Sequence, residues 1–255
     1  MDREAVDDAV ALLQRAPVLA ACRDGPIDRG TLTERAGVSR ATAYRATNVL
    51  AERGLLEREA GDYRLTGLGR AVLTRVESFE AGLTGALTLA PVLARVDAPE
   101  LVSNTHLFTD ATVLTADPSA PYRIDQELAA IVGETTRKMV GVTTSFGSPT
   151  VMERTYEVVR SGVAVEWVLT PGTFDGVRDQ HGEGHDELMG LDTTATYLAD
   201  ELPLDIAIYD DTLVVPSYDA GSGAVAAVAT TDDPDAVAWG RGVFEDCRDR
   251  AERLD

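Results

Sequence analysis

Arg40, Tyr44, Arg45 and Asn48 recur at spacings that place them on one face of a helix. Their chemistry suits the edges of bases. A guanidinium donates two parallel N–H bonds to O6 and N7 of guanine, and an Asn amide pairs with N6 and N7 of adenine. Ala41 shares the face. Thr42, and further along Arg58 and Arg64, are placed to hold a phosphate backbone or a minor groove. Enzymatic chemistry is poorly provided for. His106, His181 and His185 are the only histidines, and Lys138 is the only lysine. No Walker loop, dinucleotide fingerprint or nucleophile elbow occurs. His181 and His185 stand four apart in QHGEGHDE, a spacing a metal could use, but Gly182 and Gly184 make the segment read as a flexible solvated loop. No catalytic residue, metal or cofactor is expected.

The elements around the basic face follow from local rules. Thr31 to Ala36 is a short helical segment with Leu32 and Ala36 on one side. Gly37 is the residue type that stops a helix at positive φ, and Val38 plugs the angle between two helices. Ser39 is an N-cap. From Arg40 the period is helical, with Ala43, Ala46, Thr47, Val49 and Leu50 inward. Gly54 ends the helix. Leu55-Leu56 begin a strand, and Glu57 to Leu65 fold back through Ala60-Gly61 as a hairpin. Glu4 to Leu13 and Pro17 to Cys22 are helices that open the unit.

Helix, turn, helix and hairpin make a winged helix-turn-helix, a module that lays one helix in the DNA major groove. SRATAYRATNVLAERGLLER resembles the recognition helix and wing entry of the MarR/ArsR/TrmB-like regulators. One departure is Thr47, where that family carries a bulky aliphatic residue. The competing reading is a winged helix that serves protein contacts alone.

Charge divides the chain. Of its 23 basic and 43 acidic residues, residues 1–95 hold 13 of each, so the whole net charge of −20 lies in residues 96–255. Residues 29–75 hold 9 Arg against 5 acids, which spares the module that must approach phosphate. With 22 Arg, one Lys and abundant acid, the composition resembles that of a salt-in halophilic archaeon; a GC-rich genome is the alternative. At molar salt counterion release drives binding weakly, leaving shape fit, base contacts and dimer avidity. The acidic start and the lack of a long apolar run point to a cytoplasmic chain with no membrane partner. Cys22 and Cys247 read as small apolar residues and not as a disulfide.

Gly67 to Val96 is the longest helical pattern. Leu68, Val72, Val76, Phe79, Leu83, Leu87 and Ala90 form an apolar stripe, and Pro91 should break the helix. Such a stripe must be buried, either against the same helix of a second subunit or against the chain's own second domain. Homodimerisation through 67–96 is the preferred reading.

Residues 97–121 look irregular apart from a strand at Thr112 to Thr115. Beyond them helix and strand alternate: helix Ile124 to Lys138, strand Met139 to Thr143, helix Pro149 to Ser161, strand Val163 to Thr170. One or two helices are expected over Asp186 to Glu201, then strands Leu204 to Tyr209, Leu213 to Tyr218 and Ala224 to Thr230, and a last helix from Asp233 to Arg253. The alternation implies an α/β sandwich about one sheet. Order and pattern, above all LPLDIAIYDDTLVVPSYDAGSGAVAAVATTDDPDAVAWGRGVFEDC, resemble the sensor region of archaeal winged-helix regulators, including TrmB-like sugar regulators and the methanogenesis-regulator-type middle domain. Both resemble the phospholipase D fold. That resemblance brings no catalysis, because the His-x-Lys pair is missing.

The expected organisation is therefore a winged helix-turn-helix domain (1–66), a linking or dimerisation helix (67–96) and an effector-sensing α/β domain (97–255), in the α+β and α/β classes. An effector, a small metabolite such as a sugar or phosphorylated compound, would sit at the carboxyl end of the 139–143 strand. Thr143, Thr144, Ser145, Phe146, Gly147 and Ser148 form its connection to the next helix, and Thr170, Gly172 and Thr173 follow the next strand. Ser148 could equally be a plain helix cap. The whole reads as a regulator binding double-stranded DNA, against the alternatives of an adaptor using its acidic domain for protein contacts and an enzyme carrying a DNA-targeting domain.

Overall fold

The computed structural model describes residues 2–145, 147–182 and 188–254. Two compact units emerge, Met1–Ala81 and Gly82–Asp255.

The first unit contains α1 (Arg3–Leu13), α2 (Ala16–Ala21), α3 (Arg29–Arg35), α4 (Arg40–Glu52), the hairpin β1 (Leu56–Glu59) and β2 (Asp62–Leu65), and the start of α5 (Gly67–Thr88). The helix before the turn starts two residues earlier than expected. Asp28 sets its beginning by accepting the backbone N–H of Gly30 at 2.7 Å and of Thr31 at 3.1 Å. Gly37, at φ +62°, closes α3, and Ser39 caps α4 by accepting from the Thr42 N–H at 3.1 Å. Leu19, Leu32, Leu50, Leu56, Leu65 and Leu73 pack the small core between them. At the hairpin tip both Ala60 and Gly61 have positive φ, which matches the twist of two antiparallel strands joined by two residues.

In the second unit α5 ends at Thr88, and α6 (Ala90–Leu93), with Pro91 in its first turn, restarts the helix. Next come α7 (Pro99–Ser103), a 3₁₀ turn at Thr105–Phe108 and β3 (Thr112–Thr115). The remaining elements are α8 (Arg123–Glu134), β4 (Lys138–Thr143), α9 (Pro149–Arg160), β5 (Ala164–Leu169), α10 (Pro171–His181), β6 (Thr194–Leu198), β7 (Ile206–Tyr209), β8 (Thr212–Tyr218), β9 (Val225–Thr231), α11 (Pro234–Arg248) and β10 (Glu252–Leu254). The strands form one sheet in the order β10-β6-β5-β4-β7-β8-β9-β3. β4, β5 and β6 run parallel and every other pairing is antiparallel.

Period-two alternation sends each strand's side chains to two cores. Val140, Val142, Ile206, Ile208, Leu213 and Val215 enter one, with Phe108 and Phe244. Met139, Val165, Ala207, Val214 and Val228 enter the other, with α8 and α9 supplying Leu128, Val132 and Val159. The unit is thus an α/β sandwich, as the alternation implied. The β7–β8 turn at Asp210-Asp211 is held from outside: the Asp210 carboxylate accepts the N–H groups of Thr136, Arg137 and Lys138 at 2.9–3.0 Å.

Three local readings are corrected. The stretch expected to be helical, 186–201, contains strand β6, paired in parallel with β5; Thr-Ala-Thr-Tyr-Leu is β-branched and aromatic, and Thr196 is buried in the sheet. Pro171–His181 is a helix where only loop was read. Thr170 caps it and Pro171 opens it, signals masked by the low helix propensity of Gly172 and Gly176. The last helix stops at Arg248, and Glu252–Leu254 returns as an edge strand on β6.

Candidate functional site

On α4 the structure places Arg40, Ala41, Thr42, Tyr44, Arg45 and Asn48 at the surface, over a buried row of Ala43, Ala46, Thr47 and Leu50. Elsewhere in the unit three exposed arginines are neutralised: Arg23 pairs with Glu77, Arg35 with Asp24 at 3.4 Å and Arg53 with Asp8 at 2.8 Å. Among the described residues no carboxylate pairs with Arg40 or Arg45; the Arg45 Nε donates only to the Ala41 carbonyl of its own helix. The wing differs. Arg64 is held by Glu57 at 2.9 Å and Glu59 at 3.4 Å, whereas Arg58 lies over the Tyr63 ring and donates to the Gly61 carbonyl. Two wing arginines that look equivalent in sequence are therefore unequal, since Arg64 must exchange carboxylates for phosphate.

Arg29, which the sequence reading did not single out, joins this face. Its guanidinium stacks 5.3 Å from the centre of the Tyr44 ring and donates to the Tyr63 hydroxyl at 3.1 Å. Thr47, the departure from the aliphatic pattern, uses its hydroxyl here. It donates to the Tyr44 carbonyl at 3.1 Å and hydrogen-bonds the Tyr63 phenol. Burial raises the Tyr63 pKa, and these bonds from Arg29 and Thr47 outweigh it, leaving the phenol below its ordinary value. Arg29, Tyr44, Thr47 and Tyr63 thus tie α3, α4 and the wing. Their separation in sequence hides the network.

In the second unit the expected ligand edge divides. Thr143, Ser145 and Gly147 line a cavity between the sheet and α8–α9. Thr144, Thr170 and Thr173 stitch the loops beside it: Thr170 caps α10, and the Thr173 hydroxyl donates to the Thr144 carbonyl at 2.8 Å. Gly172 stands in the first turn of α10 with open space about its Cα. Ser148 occupies the N-cap position of α9 without making the capping bond, and its buried Oγ has no partner among the described residues. Phe146 and His185 lie outside the described residues. His181 ends α10, and no cluster of metal-ligating side chains occurs among the described residues.

The cavity also recruits residues that the sequence reading passed over, chiefly Asp205, Tyr209, Tyr218 and Trp167. Asp205 accepts the backbone N–H of Thr144 and, at 2.9 Å, its hydroxyl. Burial pushes the Asp205 carboxyl above its ordinary range, against these bonds. Burial likewise raises the Tyr209 phenol to about 12 and carries that of Tyr218 higher still. An LDIAIY strand alone gives no reason to single out its Asp.

A winged helix-turn-helix followed by a mixed-sheet α/β sandwich makes this a two-unit protein. Residues 121–250, just over half the sequence, match the family described as methanogenesis regulatory protein FilR1, middle domain, and the chain belongs to that family. Residues 3–87 match the HVO_A0261 N-terminal domain. Among solved structures, the archaeal chromatin protein TrmBL2 is similar at 15% identity and a TM-score of 0.45, over 95% of this chain and 93% of that one. NucT from Helicobacter pylori (12% identity, TM-score 0.44) and Nuc from Salmonella typhimurium, a phospholipase D family member (14%, 0.42), are each similar over 57% of this chain and 99% of their own. No curated protein matches. No described helix is long and apolar enough to cross a membrane.

Proposed function

We propose that the protein is a sequence-specific DNA-binding transcription regulator that works as a homodimer and senses a small molecule through its second unit. The observation that carries the reading is the exposed α4 face, where Arg40 and Arg45 meet no carboxylate among the described residues in a chain with nearly twice as many acids as bases. Arg40, Tyr44, Arg45 and Asn48 read base edges, with Ala41 leaving room for approach. Thr42, Arg58 and, more weakly, Arg64 hold the backbone. Family membership supports the regulatory role. The test is genome-wide occupancy of the tagged chain beside an Arg40→Ala/Arg45→Ala variant. Discrete promoter peaks lost in the variant are expected; peaks that persist make the winged unit a protein-contact module.

Dimerisation through α5 is supported by Leu68, Phe79, Leu83 and Leu87, all about half exposed or more, while Leu73 and Val76 are buried. Phe79, Leu83 and Leu87 recur every four residues and form one apolar strip. Sedimentation of Leu83→Glu/Leu87→Glu should show a monomer where the parent chain is a dimer.

A further inference from the structure

The cavity beneath α8 and α9 is made by strand register. Trp167, Gly141, Ala207 and Val214 stand side by side on β5, β4, β7 and β8. Small residues at the middle of that row leave a trough in the sheet face. A Cβ on Gly141 would fall within the Trp167 indole, so the ring fills the space above the glycine and walls one side. Continuing the β4–β7 register sets Asp205 across from Thr143 at the end of the trough. Tyr209, Tyr218 and the α9 residues Val151 and Met152 complete the walls. The cavity measures about 80 Å³, room for roughly half a dozen waters and hence for a compact solute.

Its chemistry is selective. Asp205 is half-buried and accepts from the N–H and hydroxyl of Thr144, with no Arg, Lys or His among the described groups acting on it. A carboxylate without a counterion disfavours an anionic guest. Hydroxyls come from Thr143, Ser145, Thr155, Tyr209 and Tyr218, but those of Thr143 and Thr155 already donate to the Ser145 and Val151 carbonyls, and the remaining surface is largely apolar and aromatic, a poor match for a polyol. Aromatic faces beside a carboxylate attract a desolvated cation.

We propose that this cavity binds a small organic ammonium ion, its charge against Asp205 and its carbon groups against Trp167, Tyr209 and Tyr218. The assignment rests on the sensing role proposed above and names the class of ligand. The ion offsets the cost of keeping Asp205 ionised under the sheet.

Calorimetric titration of the full chain with tetramethylammonium chloride and with choline chloride tests it, beside glycerol and inorganic phosphate at matched salt. Asp205→Asn preserves shape and removes charge; Ala207→Leu fills the trough; thermal unfolding of both establishes that they fold. Trp167→Phe substitutes for Ala207→Leu should that chain fail to fold. Ammonium binding to the parent is expected, about tenfold weaker in Asp205→Asn and lost in Ala207→Leu. Equal affinity in Asp205→Asn, preference for glycerol or phosphate, or no ammonium binding overturns the assignment. Glycerol or phosphate binding that Ala207→Leu abolishes would overturn the ammonium class and leave sensing at this cavity intact. A folded Ala207→Leu chain that regulates normally in cells would overturn both.

Discussion

The winged unit and the sheet unit handle charge in opposite ways. The first is nearly balanced, with 12 Arg against 13 acids, and presents two cations on α4 at the surface with no carboxylate partner among the described residues. The second carries −19 of the net −20 and draws one carboxylate, Asp205, part-way under the sheet with no cation among the described groups acting on it. An unpaired charge is costly in proportion to its burial, so Arg40 and Arg45 cost little where they stand and Asp205 costs more. On the functions proposed above, both exceptions meet a partner that suits their charge, phosphate and base edge in one unit and a cation in the other.

The largest expected effect probes packing in the sheet unit. Phe108 is fully buried and meets Trp239 edge-to-face at 5.7 Å. Phe108→Ala should cost about 3–5 kcal/mol in urea unfolding; a cost near that of a surface substitution would show that the deep core is not what holds this unit. Next comes the contrast within the winged unit. Arg45→Ala should cost about 1–3 kcal/mol of specific DNA affinity while stability changes by less than about 0.5 kcal/mol. Arg64→Ala should cost less than Arg58→Ala, because Glu57 and Glu59 already hold Arg64. Equal losses in a binding titration would remove the distinction between the wing arginines.

Two aspartates at opposite ends of β7 sharpen the comparison by pH. For Asp210, burial raises the pKa, but the N–H groups of Thr136, Lys138 and Arg137 and the Thr136 hydroxyl win and hold it below 3.8. Its stabilisation is present above the ordinary Asp pKa and is lost as pH falls through the lowered folded value. Asp205 has the opposite sign: its raised pKa costs stability at neutral pH, and acidification through that value relieves the cost. Asp210→Asn should therefore cost about 1–2 kcal/mol at neutral pH and flatten the acid limb, while Asp205→Asn should not destabilise at neutral pH. Urea midpoints across pH check both, and parallel behaviour of the two variants would sink the contrast. The smallest effect belongs to the wing tip. Ala60 sits at φ +51°, which favours glycine, so Ala60→Gly should raise stability by a few tenths of a kcal/mol up to about 1. A loss would mean that the Ala methyl contributes more than the backbone strain costs.

Local signals carried far in this chain. Ser39, Gly37 and Gly54 set helix ends through their own hydrogen bonds or φ angles, Ala60-Gly61 turned a hairpin, and the helical period of 40–50 separated a buried row from a basic face. None of these needs a distant partner, which is why the winged unit was legible nearly residue by residue. Where two signals competed, the local one failed: glycines at 172 and 176 hid a helix whose cap and proline were in plain view, and a three-residue edge strand, β10, forms on β6 after a turn that the helical period ran through.

Side-chain types and near-neighbour spacing decided where the arginines of α4 point and that the acidic load lies in the second half. Tertiary structure alone decided which arginines are neutralised, that Arg29 clasps Tyr44 and Tyr63, and that Gly141, Ala207 and Trp167 meet in one row to open a cavity beside Asp205. The physical reason is range. Caps, turns and helical faces are fixed within a few residues, whereas strand register joins positions more than sixty residues apart, and one step of slip would turn every side chain of a strand to the other face.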